Sequence, residues 1–281
     1  MFHLIGFSKC IQTVGLLAQL EGNEVRNLNS LDLGYRRFLI KLQGLLPECE
    51  ATGTELIDGE EAARYAKVFN VNLAREGISH LVARATTFEK PEVVIADQLR
   101  RLEAVDVYLA TLFRLVVKII ICGRSEWAVG GTTSGAVGVV WINAAPDWTD
   151  RDYQELFVHE LTHTLMFLDE LRFGHYVDLE QLMIPSNFAK SAILQASRPL
   201  DRVLHSIVVA TEVLAFRMRV GVTEKSAVHP ASEPLHLQTI QATRALLEGK
   251  SYQGLLTPRA FELLELCYNQ LTADETVALP L

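Results

Sequence analysis

The five residues from His159 to His163 read His-Glu-Leu-Thr-His, and this HExxH pattern constrains the chain more than any other feature of its sequence. In an α-helix, side chains four positions apart lie one turn above each other on the same face. His159 and His163 can therefore direct two imidazole nitrogens at one metal ion, with the Glu160 carboxylate beside them. The pattern predicts a metal-binding helix.

The residues around the motif favour a helix from about residue 150 to Leu171. Thr149 or Asp150 is a suitable N-cap, and Asp150 and Asp152 put negative charge in the first turn, where the helix dipole favours it. The apolar residues recur as one stripe of a buried helix, at Leu156, Phe157, Leu161, Leu165 and Leu168. The competing interpretation is a core helix with two histidines on its polar edge and no metal.

Composition and charge exclude several classes of protein. The chain has 281 residues, of which 49% are hydrophobic and 21% charged, so it can bury a sizeable core. The net charge of -8 argues against a nucleic-acid-binding protein, which would usually carry a basic patch. The longest apolar stretch, residues 105–122, is interrupted by Asp106, Arg114 and Lys118, so we expect no membrane span.

Two further features predict a cytoplasmic protein. The first residues lack the charged, apolar and small-residue regions that a secretory signal shows in order. The cysteines lie far apart with no CxxC pair, and we expect reduced, buried thiols at Cys10, Cys49, Cys122 and Cys267.

Hydrophobic periodicity predicts an α+β fold that is mostly helical. We expect a helical N-terminal region over residues 1–113 and a metal-binding catalytic region over residues 114–281, joined in one compact unit. Besides the HExxH helix, the predicted helices cover residues 8–20, 31–46, 60–81, 93–112, 199–220, 235–247 and 258–271.

Two predicted strands precede the HExxH helix, over residues 115–121 and 137–143. The glycine-rich residues 130–135 between them predict the turn of a hairpin. A small sheet placed just before a metal-binding helix resembles the zincin-like arrangement, which implies that an edge strand borders the active cleft. An open edge there could pair with an extended peptide.

The third metal ligand decides the class of enzyme. A metzincin needs glycine and histidine where this chain has Met166 and Asp169, so that class is excluded. A zinc peptidase of the gluzincin type needs a downstream glutamate, for which Glu212 is the best candidate and Glu180 a weaker one.

Histidine ligands are the other possibility. His205 lies two helical turns before Glu212, on the same face of an otherwise apolar helix. It is either a core histidine or a ligand, and the HExxH helix needs a third ligand. His175, in a loop soon after the motif, is a poorer candidate.

The motif and a second element together resemble a known family. His159, Glu160 and His163 are followed by Arg198-Pro199-Leu200-Asp201-Arg202-Val203-Leu204-His205, and this combination resembles the HExxH-type 2-oxoglutarate-dependent peptide β-hydroxylases of ribosomal peptide biosynthesis. The resemblance covers roughly residues 130–220. It implies Fe(II) held by His159, His163 and His205, with 2-oxoglutarate and O2 as cosubstrates and a ribosomally made precursor peptide as the partner.

Such a site needs a cation for the distal carboxylate of 2-oxoglutarate, and arginine suits it because its guanidinium binds carboxylates in a bidentate manner. Arg198 and Arg219 are the candidates. Glu160 would orient a ligand or the substrate in a hydroxylase. In the alternative, a zinc metallopeptidase, Glu160 is the general base and Glu212 the third ligand. A third interpretation is a non-catalytic, zincin-like protein that binds a peptide.

Overall fold

The structure, a computed structural model, describes residues 2–20, 22, 24–47, 52–57, 59–75, 91–123, 125–126 and 128–273. The chain separates into two compact units. The first unit is Phe7–Leu168, and the second unit combines Met1–Gly6 with Asp169–Leu281. The division falls inside the helix that carries the HExxH residues, so that one helix contributes to both units.

Helices dominate both units, and each unit has a small sheet, so the α+β prediction is confirmed at this level. In chain order the helices are α1 (Phe2–Ile5), α2 (Phe7–Gln19), α3 (Leu28–Gln43), α4 (Gly59–Arg75), α5 (Pro91–Val105), α6 (Val107–Val116), α7 (Asp150–Phe173), α8 (Leu179–Leu182), α9 (Leu200–Val220), α10 (Ser232–Glu248) and α11 (Pro258–Ala273). The strands are β1 (Glu55–Ile57), β2 (Ile119–Cys122), β3 (Gly130–Gly131), β4 (Val139–Ile142), β5 (Ala189–Lys190) and β6 (Ser197–Arg198).

The prediction of one helix over residues 93–112 is wrong, because α5 and α6 are separate helices that meet at Asp106. The Asp106 carboxylate accepts hydrogen bonds from the backbone N–H groups of Tyr108 and Leu109, each at 3.0 Å. Asp106 is therefore the N-cap of α6, and its extended backbone ends the preceding helix. The predicted helix 60–81 begins as α4, and its last residues, 76–81, lie outside the described part of the chain, as does Cys49.

The four-stranded sheet of the first unit has the order β1-β2-β4-β3. β1 pairs with β2 and β2 with β4 in parallel, whereas β3 runs antiparallel to β4 at the edge. The predicted hairpin of β2 with β4 is therefore wrong. Every residue of both strands is buried, as in parallel sheets covered on both faces, and a continuous apolar run gives no information on strand direction.

A buried ion pair lies where β2 begins. Lys118, with 0% of its side chain exposed, places its Nζ 2.6 Å from Asp32 Oδ1 on α3. The carbonyl of Arg114 accepts a second hydrogen bond from Nζ at 3.0 Å, and the N–H of Gly53 donates to the other Asp32 oxygen. Burial lowers the pKa of Lys118 to about 8, although Asp32 opposes that shift. The pair ties α3 to the strand that leads into the sheet.

In the second unit α9 packs against α10, α11 and the short α1. Gly221 ends α9 in the left-handed conformation, with φ of 70°, which glycine adopts at low cost. β5 and β6 form a two-stranded antiparallel ladder just before α9. Among the described helices, none combines the length and hydrophobicity needed to cross a membrane.

Candidate metal centre

Helix α7 presents His159 and His163 as a converging pair in the first unit. Their Nε2 atoms lie 3.1 Å apart, and both rings are half-buried. Two nitrogens that each lie about 2.0–2.1 Å from one ion, with an angle between them somewhat above 90°, have about this separation. The predicted pair thus fits two positions of a metal's coordination shell, as the four-residue spacing requires.

The start of α7 explains why this helix forms here. The backbone N–H and the hydroxyl of Thr149 donate to the Asp152 carboxylate at 2.8 and 2.7 Å, and the Asp152 N–H lies 3.4 Å from the Thr149 hydroxyl. This reciprocal arrangement is a capping box that satisfies donors of the first turn. Thr149, one of the two predicted caps, therefore precedes the helix that begins at Asp150.

Glu160 is buried, with 2% of its surface exposed. Its Oε2 atom has no hydrogen-bond partner among the described residues. Burial raises the pKa of the Glu160 carboxyl to about 8, and a side-chain hydrogen bond with Thr132 opposes that shift. This carboxyl group, next in sequence to the candidate ligand His159, has one oxygen available for a hydrogen bond with a bound group.

The edge strand β3 lies directly against Glu160. A Cβ atom at Gly130 would come within 2.8 Å of Leu156 Cδ1 and 3.2 Å of Glu160 Oε1, so any larger residue would force a neighbour to shift. At Gly131 a Cβ would lie 2.4 Å from Trp141 Nε1. Gly130 and Thr132 were not among the predicted site residues, because the glycine-rich residues 130–135 predict a turn. Two adjacent glycines followed by threonines were the available signal.

His205 lies in the second unit, on the buried side of α9, and 6% of its surface is exposed. Burial lowers its pKa to about 3, and positive charge on His175 and Arg202 acts in the same direction. The ring is therefore neutral at pH 7, the state that a metal-ligating histidine needs. The neighbouring Ser206 hydroxyl accepts a hydrogen bond from the Ala192 N–H at 3.0 Å, which fixes this turn of the helix.

The two candidate arginines differ in exposure. Arg198 is half-buried in β6, where it pairs with Ala189 of β5. Arg219 is exposed in the last turn of α9. Glu180, the weaker carboxylate candidate, is exposed in α8. Within the described ranges, the structure brings together no group of three or more His, Cys, Asp or Glu side chains that could hold a metal ion.

Glu212, the carboxylate candidate for the third ligand, is engaged inside the second unit. Its Oε2 atom accepts a hydrogen bond from the His3 N–H at 2.8 Å and lies 2.8 Å from His3 Nδ1. Its Oε1 atom accepts from the Leu4 N–H at 2.9 Å. Burial alone would raise the pKa of Glu212, but the positive groups around it, His3 among them, outweigh burial and lower this pKa to about 2.

A second buried hydrogen-bond network in this unit involves His175, which was the poorer histidine candidate for the third metal ligand. Arg259 donates two hydrogen bonds to the Asp169 carboxylate, from Nε at 2.9 Å and from Nη2 at 2.7 Å. His175 Nε2 lies 2.9 Å from the same carboxylate, and its ring is fully buried. No local pattern of residues indicates this network, because Arg259 follows Asp169 by 90 residues.

The four predicted site residues with the strongest claim to the metal centre are divided between the two units. His159, Glu160 and His163 belong to the first unit, whereas His205 belongs to the second. In comparisons with known proteins, the chain matches no protein-family model and no curated protein sequence.

Proposed function

We propose that this protein is an Fe(II)- and 2-oxoglutarate-dependent hydroxylase that acts on the β-carbon of a peptide side chain during the maturation of a ribosomally made peptide. The observation that carries the proposal is the 3.1 Å separation of the His159 and His163 Nε2 atoms on α7. The choice of iron and of the 2-oxo acid rests on the resemblance of residues 159–205 to that family.

In the proposed enzyme His159, His163 and His205 hold the metal through neutral ring nitrogens. A set of histidine nitrogens leaves coordination positions for a bidentate 2-oxo acid and for O2. Iron held there would supply the oxidising chemistry, in which one atom of O2 would go to the peptide carbon as hydroxyl and the other to the 2-oxo acid, which would lose CO2 and become succinate. Arg198 or Arg219 pairs with the distal carboxylate of the 2-oxo acid.

The other residues of the site position the substrate and control water. β3 is the edge strand of its sheet, and it lies against Glu160. An extended peptide that adds to this edge would run past the HExxH helix, with the backbone supplying affinity and side-chain pockets supplying selectivity. Glu160, whose Oε2 has no partner among the described residues, can accept a hydrogen bond from that peptide or from a ligand.

The test is anaerobic reconstitution with Fe(II) and 2-oxoglutarate, monitored through the weak visible charge-transfer band of an iron-chelated 2-oxo acid. We expect the band in the unmodified protein and its loss in His159→Ala, His163→Ala and His205→Ala. His236→Ala is the control. His236 is a part-buried histidine of the second unit, and its Nε2 atom is hydrogen-bonded to the Leu271 carbonyl oxygen rather than assigned to the metal. A protein that binds Fe(II) but never gives the band would contradict the role of the 2-oxo acid.

The second candidate is a zinc metallopeptidase, and the position of Glu160 favours it. A buried carboxyl group next to a metal-binding pair is what a general base for a metal-bound water requires. The three hydrogen-bonding contacts of Glu212 with His3 and Leu4 weigh against its assignment as the third ligand. Glu160→Gln separates the candidates: it abolishes cleavage of peptides by a peptidase but leaves the 2-oxo acid band of a hydroxylase.

The non-catalytic interpretation is tested by the same preparation. A zincin-like protein that only binds a peptide needs neither metal nor cosubstrate. If the purified chain takes up neither Fe(II) nor Zn(II) and still binds extended peptides, both enzyme proposals fail. Metal uptake that depends on His159 and His163 would instead leave only the two enzymes to be distinguished.

A further inference from the structure

The second unit contains a pocket that has no role in the function proposed above. It is lined by residues of α9, α10 and α11 and of the connection after α9, and its volume is about 310 Å³. Pockets that bind small molecules usually have volumes of about 300–1,000 Å³, and an apolar cavity of about 150 Å³ already holds benzene. This pocket is therefore large enough for a small organic molecule.

Helix α9 supplies a mainly apolar wall. Thr211, Leu214, Ala215 and Met218 line the pocket, and their spacing places them on one stripe of the helix. Leu271 of α11 lines it as well. The Met218 side chain is 61% exposed, and an unbranched thioether side chain adapts its shape easily to an apolar partner. This wall offers the apolar body of a ligand a surface to cover.

Two hydrogen bonds between lining residues hold the pocket in shape. The Ser232 N–H donates to the Thr223 carbonyl at 2.8 Å, which ties the start of α10 to the connection after α9. The His236 Nε2 atom lies 2.8 Å from the Leu271 carbonyl oxygen, which joins α10 to α11. A ligand therefore meets a pocket that is already formed, and binding does not have to order its walls.

The polar lining residues carry one formal charge, which is negative. Glu233 is the one Asp, Glu, Lys or Arg side chain among the described residues that line the pocket. The hydroxyl groups of Thr223 and Ser232 and the amide oxygen of Gln270 can also accept hydrogen bonds. Arg217, whose Nη1 lies 3.4 Å from the Ser232 hydroxyl, is buried and does not line the pocket. A cationic ligand is thus matched in charge, whereas an anionic one is opposed.

We propose that this pocket binds a small molecule with an apolar body and a protonated amine, with the amine at Glu233 and the apolar body against α9. An ammonium group has N–H donors and no acceptor, which suits a lining rich in oxygen acceptors. The net charge of -8 also favours the approach of cations to this protein. The binding does not depend on the metal centre or on the hydroxylase assignment.

The experiment compares three probes that share a hexyl chain and differ in their head groups: n-hexylammonium, 1-hexanol and hexanoate. The full chain is labelled in its methionine methyl groups and titrated with each probe at pH 7, where the amine is protonated and the acid is ionised. Met218 reports on the pocket. Met183 is the internal control, because its side chain is 60% exposed but does not line the pocket.

We expect n-hexylammonium and 1-hexanol to move the Met218 methyl signal and to leave that of Met183 in place. The ammonium should bind most tightly and hexanoate least. Glu233→Gln should weaken the binding of n-hexylammonium by about two- to fivefold, which corresponds to an exposed ion pair, and leave that of 1-hexanol unchanged. Glu265→Gln is the matched control, because it makes the same change at an exposed glutamate of α11 that does not line the pocket.

Ala215→Leu tests the position of the apolar body. The larger side chain would occupy part of the cavity, so the binding of all three probes should be lost. Ala245→Leu is its control, because it makes the same change at an exposed position of α10 outside the lining, and it should leave binding unchanged. The Met218 signal of the unmodified protein locates the probes even if Ala215→Leu folds poorly, because it requires no substitution.

The inference is overturned if hexanoate binds as tightly as n-hexylammonium, or if no probe moves the Met218 signal. It also fails if Glu265→Gln weakens the ammonium as much as Glu233→Gln does, because the attraction would then come from the net charge of the protein and not from the pocket. Binding that appears only after residues 274–281 are removed would assign the pocket to those residues instead.

Discussion

The carboxylate of Glu212 and the backbone of His3 are joined by a 2.8 Å hydrogen bond across 209 residues of sequence. The N–H of Leu4 and the Nδ1 atom of His3 complete a pocket of donors around this buried carboxylate. Glu212 therefore anchors α1 to α9 within the second unit. This relationship gives Glu212 a structural role in the second unit and weighs against its assignment as a metal ligand.

The first prediction is that Glu212→Gln destabilises the protein in a pH-dependent way. The folded-state pKa of Glu212, about 2, lies below its ordinary value of 4.5. Its contribution is therefore fully present above about pH 4.5 and is lost as the pH falls through 2. The shift corresponds to about 3 kcal/mol. Urea unfolding measures this effect. The difference in free energy of unfolding between the unmodified protein and Glu212→Gln should be largest at pH 7 and should shrink towards pH 2.

Glu265→Gln is the control for this measurement, because Glu265 is an exposed glutamate of the same unit. It should change the free energy of unfolding by less than about 0.5 kcal/mol at either pH. If the difference in free energy of unfolding between Glu212→Gln and the unmodified protein stays constant with pH, the charge of Glu212 does not contribute to stability. Zn(II) binding that vanishes in Glu212→Gln would favour the peptidase assignment, with Glu212 as a metal ligand.

The second prediction concerns the buried pair of Lys118 and Asp32. Removing one partner leaves the other charge buried without its counterion, so Lys118→Met and Asp32→Asn should each cost about 3–5 kcal/mol in free energy of unfolding. The double variant should cost less than the sum of the two, by about 1–3 kcal/mol. Denaturant unfolding of all four proteins gives the coupling directly.

The exposed pair of Arg26 and Glu24 provides the contrast, since 73% and 70% of these side chains are exposed. Arg26→Ala should leave the free energy of unfolding nearly unchanged, because water screens an exposed ion pair. Strictly additive effects at Lys118 and Asp32 would contradict the coupling that their 2.6 Å contact implies.

The third prediction is that Gly130→Ala disturbs the metal centre. The added methyl group would lie 2.8 Å from Leu156 Cδ1, 3.1 Å from the Trp141 carbonyl oxygen and 3.2 Å from Glu160 Oε1, so these neighbours or β3 itself must shift. We expect a loss of about 1–3 kcal/mol in free energy of unfolding, as in other overpacked sites, and weaker binding of metal or peptide. Gly15→Ala in α2 is the control, because its nearest contact is an ordinary 3.9 Å.

Gly15→Ala should be neutral or stabilising by about 0.5–1 kcal/mol, since alanine is the better helix former. The melting temperature should therefore fall in Gly130→Ala and stay the same or rise in Gly15→Ala. If Gly130→Ala behaves like Gly15→Ala and leaves metal affinity unchanged, the close approach of β3 to Glu160 has no part in the site.

The fourth prediction separates the two candidate arginines. Arg198 is half-buried, where a charge is less screened by solvent, whereas Arg219 is exposed. We expect Arg198→Ala to raise the dissociation constant of 2-oxoglutarate for the Fe(II)-loaded protein by about tenfold or more, which is the weakening expected from losing a charge-assisted hydrogen bond. Arg219→Ala should change it by less than about threefold. Titration of the visible band with the 2-oxo acid measures both constants, and a larger effect at Arg219 would reverse the assignment.

Local signals in the sequence were sufficient for the helices. The HExxH helix, its Thr149 cap and the course of α9, α10 and α11 follow from apolar spacing and end residues, which depend on neighbours within one or two turns. The same local reasoning failed at Asp106. A lone aspartate within a helical pattern does not reveal whether its side chain will cap a new helix, and the packing of α5 and α6 made that choice.

The pairing of the His159 and His163 nitrogens was determined by the sequence itself, because four residues of helix bring them together whatever surrounds them. The tertiary structure alone decided the direction of β2 and β4, the approach of Gly130 to Glu160, and the contacts of Asp169 with Arg259 and of His3 with Glu212. Each of these joins residues that are remote along the chain. Such contacts depend on how separate elements pack, which no local pattern of residue types encodes.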